Sequence, residues 1–121
     1  EDYVYFGGYE TEQGMRGCEY LMNLPSPPTA IFSISDIIAI GAMNYALSKG
    51  YRIGKDLIFM GFDNIQYSHM FVPHLSTVEQ PCYAQGKLVI EKLIENMKAT
   101  NPDHNLYTLP HSLVLRESTG D

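Results

Sequence analysis

Three polar side chains in this sequence stand where a small ligand could be held. Ser35 and Asp36 directly follow Ala30-Ile31-Phe32-Ser33-Ile34, and Asp63 directly follows Ile58-Phe59-Met60-Gly61-Phe62. Both runs are short and nearly continuously apolar, as strands buried on both faces are. A carboxylate or hydroxyl that follows such a strand emerges at the carboxyl edge of an open α/β sheet, where these sheets bind small molecules. Ser35 and Asp36 also open a helical pattern, where unpaired backbone N–H groups attract polar ligand atoms. For Asp36, capping that helix is an equally good use of the side chain. Asp63 has its own alternative, as a loop carboxylate capping a short helix. A carboxylate accepting hydrogen bonds from ligand hydroxyls or amines contributes about 1.5–3 kcal/mol per bond. The chemistry these groups could do is recognition of a small polar molecule.

Catalytic and metal chemistry find no such support. No GxSxG, P-loop, GxGxxG or HExxH pattern occurs. His69 and His74, and His104 and His111, lack Cys or acid partners at metal-ligand spacing. Glu10 and Glu12 suit the positive end of a helix better than acid–base work. Cys18 and Cys82 form no CxxC and read as free thiols. The expectation is a protein that is not an enzyme, with no cofactor and no metal.

The elements that must position these groups follow from pattern. Tyr3-Val4-Tyr5-Phe6 reads as a strand, and a chain opening inside a sheet element is expected to be a piece of something longer. A polar helix start over 9–13 leads to Met15, Cys18, Leu21 and Met22 on one helical face, stopped by Pro25-Ser26-Pro27-Pro28. The helix after Ser35 carries Ile37, Ile40, Gly41, Met43, Asn44 and Leu47 to a Lys49-Gly50 exit. Strand, helix and strand of these lengths make a parallel βαβ unit. A short helix is expected within 64–70 and an extended segment over 75–80. A long amphipathic helix over 83–97 bears Leu88, Val89, Leu93, Ile94 and Met97, and short strands are expected at 107–109 and 112–115.

Composition sets the outer bounds. The 121 residues fit one compact domain burying roughly two-thirds of the surface of the unfolded chain. Hydrophobic residues make up 45% and charged residues 18%, so no disorder signature is present. The net charge of −6 and the scattering of the eight Lys and Arg leave no basic cluster for a phosphate backbone. No apolar run approaches the roughly 20 residues of a membrane span.

Six motifs then occur in order: Pro28-Thr29-Ala30-Ile31-Phe32, Ser35-Asp36, Ile40-Gly41-Ala42-Met43, Gly61-Phe62-Asp63-Asn64, Leu75-Ser76-Thr77-Val78-Glu79-Gln80-Pro81, and Leu109-Pro110 with Leu113-Val114-Leu115-Arg116. Together they resemble the lac-repressor (LacI/GalR) family of bacterial transcription regulators over nearly the whole chain. The resemblance implies a three-layer α/β/α lobe with a parallel sheet, of the type I periplasmic-binding-protein-like fold. The C-terminal lobe of an effector-binding domain would occupy about 1–75 and 107–121. A crossover and one helix of a first lobe would occupy about 76–106. The rest of that first lobe, the hinge helix and the DNA-binding headpiece are expected to be absent from these residues.

It further implies a small-molecule effector, a sugar or related metabolite, bound between two lobes. The partners implied are a second copy in a homodimer and DNA through the headpiece only, with no membrane, in the cytoplasm. Tyr9 matches a position where the family places an aromatic against the effector, its alternative being packing near a strand end. Asp63 matches the family's ligand-accepting acid. Relatives often carry Asn at the position of Ser35, so serine shortens the reach and admits a different ligand or a water. They often carry a polar residue at Ile37, and that departure points to a less hydroxyl-rich effector or one held elsewhere. Gln80 falls on the crossover at the cleft floor, suited to a ligand hydroxyl or to interlobe bonding. Ile40, Met70 and Phe71 match dimer-interface positions, although helical spacing alone explains Ile40 as core. The helix over 83–97 would leave Leu88, Leu93 and Ile94 exposed without the first lobe. The rival reading is a periplasmic sugar-binding transport protein of the same fold.

Overall fold

The computed structural model describes residues 3–100 and 105–120. It divides into two units, Glu1–Glu79 with Leu113–Asp121, and Gln80–Ser112. His104, named above among the histidines, lies outside the described residues.

The first unit is built on an open sheet. Strand β1 (Ala30–Phe32) leads into helix α2 (Asp36–Ser48) and then β2 (Ile58–Phe62), and helix α1 (Thr11–Met22) precedes them. Strand β3 (Ser76–Glu79) follows, and β4 (Ser112–Val114) completes the order β1-β2-β3-β4. β1 pairs parallel to β2 with Ile31 opposite Phe59, and β2 pairs parallel to β3 with Gly61 opposite Thr77. The βαβ unit read from the sequence is therefore present. Its core joins Cys18 and Leu21 of α1, Ile31, Ala39, Ala42, Met43 and Ala46, with Leu57, Phe59 and Leu75 almost wholly buried.

Ser35 starts α2 as expected, its Oγ accepting from the Ile38 N–H at 3.4 Å. α2 packs on β2 and α1 packs on α2. The buried stripe of α1 is not the one expected. Met15 is exposed, and Gly14, Gly17, Cys18 and Leu21 face inward. The two helices cross so closely that a Cβ on Gly14 would strike the Ile38 carbonyl, and one on Gly41 would strike the Thr11 carbonyl. Glycine makes this crossing possible because it has no side chain to keep the backbones apart. A reading keyed to large apolar residues misses such a stripe.

Three further expectations are corrected. Residues 3–6 join no ladder. The Tyr5 ring instead meets Tyr20 of α1 in a tilted pair with centres 5.7 Å apart, the Tyr3 hydroxyl donates to the Ser26 carbonyl at 2.8 Å, and Phe6 is exposed. A β-favouring run stays irregular when no strand edge pairs with it. Residues 107–109 are likewise not a strand; Tyr107 lies under the Lys92 ammonium, 5.1 Å from the ring centre. β1 is covered on one face only: Ile31 and Ser33 are buried, whereas Phe32 and Ile34 are 58% and 63% exposed. β2 alternates in the same sense, with Phe59 and Gly61 buried and Ile58, Met60 and Phe62 half-buried.

The second unit holds helix α3 (Cys82–Lys98), which buries no residue. Leu93 and Ile94 are exposed as expected, whereas Leu88 is half-buried rather than exposed. Cys18 is buried in the first unit, Cys82 is exposed in the second, and both are free thiols. Among the described residues no helix is long and apolar enough to cross a membrane.

Candidate functional site

β2 ends in a turn with unusual backbone. Asp63 and Asn64 have φ of 108° and 53°, two consecutive non-glycine residues in the left-handed region. Each such residue costs of order 1–3 kcal/mol and persists only where its surroundings over-determine it. Here they do. The Asp63 N–H donates to the Val78 carbonyl at 2.8 Å, and the Asn64 N–H to Thr77 Oγ1 at 3.3 Å. Asn64 Nδ2 donates to Glu79 Oε1 at 3.0 Å, and Asn64 Oδ1 accepts from Arg116 Nη2 at 2.7 Å and Ser68 Oγ at 3.3 Å. The turn thus places the half-buried Asp63 at the carboxyl end of β2.

Asp36, the other strand-end acid, is used differently. It is fully buried, accepting from Thr77 Oγ1 at 2.5 Å through Oδ1 and from the Ile65 N–H at 2.9 Å through Oδ2. Both oxygens are engaged within the chain, so the structure assigns Asp36 to bracing β3 and the Asp63 turn. That replaces the expected ligand contact and the expected cap, a task taken by Ser35. Burial, opposed by the bonds from Thr77 and Ile65, pushes the Asp36 carboxyl above its ordinary value of 3.8.

Asp56 behaves in the opposite way. The Arg52 side chain donates to it at 2.5 and 2.8 Å and holds it down at about 2. Between 3.8 and its higher folded pKa, Asp36 keeps a proton that the unfolded chain releases, so its contribution to stability falls as pH rises. The contribution of Asp56 is present above 3.8 and is lost as pH falls towards about 2. A carboxyl-carbon NMR titration is expected to place the Asp36 midpoint above that of Asp56; the reverse order would contradict this assignment.

The other expected contacts divide between the units. Tyr9, 74% exposed, lines a groove of about 420 Å³ together with Gln13, Phe32, Ser33, Ile34 and Ile38. Ser35 lies in sequence between the last two and is half-buried. Gln80 is half-buried and opens the second unit. Among the described residues no His, Cys, Asp and Glu cluster could hold a metal ion.

The profile of the periplasmic binding protein-like domain matches residues 2–119. The chain belongs to that family. Its similarity to known proteins of this domain type also bears out the resemblance to LacI-type regulators. It is 39% identical to the ribose operon repressor of Haemophilus influenzae over 110 residues, covering 91% of this chain and 33% of that protein. It is 33% identical to the HTH-type transcriptional repressor CytR of Escherichia coli over 117 residues, covering 97% and 34%. Among solved structures, the transcription regulator CcpA of Lactococcus lactis superposes with a TM-score of 0.89 at 27% identity, covering 98% of this chain and 43% of that one. A LacI-family regulatory protein from Chloroflexus aggregans does so with 0.83 at 35%, covering 93% and 41%. The chain spans about a third of the length of these curated relatives. They are repressors, which favours the regulator reading over the transport protein.

Within this periplasmic binding protein-like domain the expected interface residues separate. Ile40 is 6% exposed and belongs to the core, because its helical position faces Met43 and Leu75; its expected surface role is withdrawn. Met70 and Phe71 are 57% and 50% exposed, beside Tyr67, whose ring lies 6.5 Å from that of Phe71. Residue-by-residue reading missed Thr77, Asn64 and Arg116 as parts of the site. The Gly61-Phe62-Asp63-Asn64 motif was the available signal, since Asn tolerates left-handed backbone better than most residues.

Proposed function

We propose that this chain is the effector-sensing part of a LacI-type transcription regulator that binds a small polar, sugar-like metabolite at the carboxyl edge of its sheet. The observation that carries the reading is the strained Asp63 turn, held by hydrogen bonds from both sides next to a fully buried Asp36. Backbone strain stored at a strand end is a hallmark of ligand sites. Asp63 accepts hydrogen bonds from ligand hydroxyls or amines. Tyr9 presents an aromatic face to the ligand's C–H-rich face and Ser35 supplies a short hydroxyl. Gln80 adds an amide from the crossover in the intact protein.

In that protein, ligand binding would favour one arrangement of two lobes and so alter DNA binding through a headpiece. Met70 and Phe71, with Tyr67, would contribute to a homodimer contact. The protein is read as cytoplasmic and without catalytic activity, a reading supported by its similarity to transcriptional repressors.

A thermal-shift screen of sugars, sugar acids, sugar phosphates and purines on the intact protein tests this. The expected result is a stabilising hit whose affinity falls about tenfold or more in Asp63→Ala, the size of one charge-assisted hydrogen bond. Tyr9→Ala is expected to weaken the same hit. A hit indifferent to both changes would overturn the site.

A further inference from the structure

The turn that carries Asp63 is held from a distance. Arg116 stands 52 residues further along the chain, yet its guanidinium reaches the turn from the segment after β4. Nη1 donates to the Leu75 carbonyl at 2.5 Å and to Ser68 Oγ at 3.2 Å, which fixes the guanidinium plane. Nη2 then points at Asn64 Oδ1, 2.7 Å away. An amide offers an acceptor on one side and donors on the other. With Oδ1 taken by Arg116, Nδ2 faces Glu79 Oε1. A flipped amide would turn its own donors against the guanidinium. The same cation also lies in the field shared by Asp36 and Asp63, offsetting the repulsion between two neighbouring acids.

We propose that Arg116 is a positioning residue for Asp63: its fork fixes the Asn64 amide, and the fixed amide holds the left-handed turn that presents the Asp63 carboxylate. The proposal rests on Asp63 being a ligand contact, but its first test needs no ligand. Lysine keeps the charge and loses the planar fork, so it separates positioning from simple charge balance.

The three-bond HN–Hα couplings of Asp63 and Asn64, measured by NMR on the intact protein, report φ directly. In Arg116→Met and in Arg116→Lys both couplings are expected to shift away from their left-handed values, with the larger shift in Arg116→Met. The control is Ser118→Ala, which removes bonds to the Phe59 carbonyl and from the Ser76 N–H without touching the turn. It is expected to lower Tm and leave both couplings unchanged. Couplings that stay put in Arg116→Met, or that move equally in Ser118→Ala, would overturn the proposal. Failure of the sensing reading looks different: the wild-type protein binds neither D-ribose nor any other probe of the screen, while its couplings still respond to Arg116→Met.

Discussion

Gly41→Ala is expected to destabilise the protein by about 3 kcal/mol, the upper part of the range for overpacking a well-filled interior. A methyl group at Gly41 lands on the Thr11 carbonyl of the neighbouring helix. The obstacle is backbone on both sides, so no rotamer change relieves it and the helices must separate. That separation loosens the contacts of Cys18 and Leu21 with Ala39, Ala42 and Ala46. Alanine's better helix propensity returns only about 1 kcal/mol, so the clash wins. Gly14→Ala, which meets the Ile38 carbonyl, is expected to behave alike. Gly86 in α3 is the internal comparison, since nothing lies within 4 Å of its added Cβ. There the same substitution stabilises the helix by roughly 0.5–1 kcal/mol. Urea unfolding of the three variants distinguishes these cases, and a stable Gly41→Ala would refute the close crossing.

Asp36→Leu is the second large effect. It removes the acceptor of the Ile65 N–H and of the Thr77 hydroxyl in a fully buried place. Each polar group left unpaired costs about 1–3 kcal/mol, so a loss of about 2–4 kcal/mol is expected. Asp36→Asn should be much milder. Its oxygen can still accept one of the two bonds, so only the other is lost. It also removes the cost of burying a carboxylate. Equal losses in the two variants, measured by denaturant unfolding, would show that Asp36 matters for its charge rather than as a brace.

These two positions show what the sequence made legible and what it did not. β1, α2 and β2 were readable because apolar runs, a Ser cap and a Lys-Gly exit all pointed one way. The glycine crossing was invisible because glycine carries no hydrophobic signal, and Met15 stood in for the true stripe. Residues 3–6 read as a strand on β propensity alone, which fails where no ladder forms. Asp36 and Asp63 look equivalent in sequence, each closing an apolar run. What separates them is tertiary. Gly61, opposite Thr77, has no side chain and leaves room for the Asp36 carboxylate. Partners 29 and 41 residues away then claim both of its oxygens. Arg116 was legible as part of a motif, but its reach to Asn64 depends on the register of the sheet.

The most direct measurement is an amide chemical-shift map of the intact protein during titration with the best compound of the metabolite screen, D-ribose serving as the reference sugar. The largest shifts are expected at Tyr9, at Ile34 and Ser35, and at Asp63 and Asn64, with Asp36 and Ile65 moving less. Shifts confined to Tyr67, Met70 and Phe71 or to α3, with the Asp63 turn unmoved, would contradict a ligand site at the carboxyl edge of this sheet.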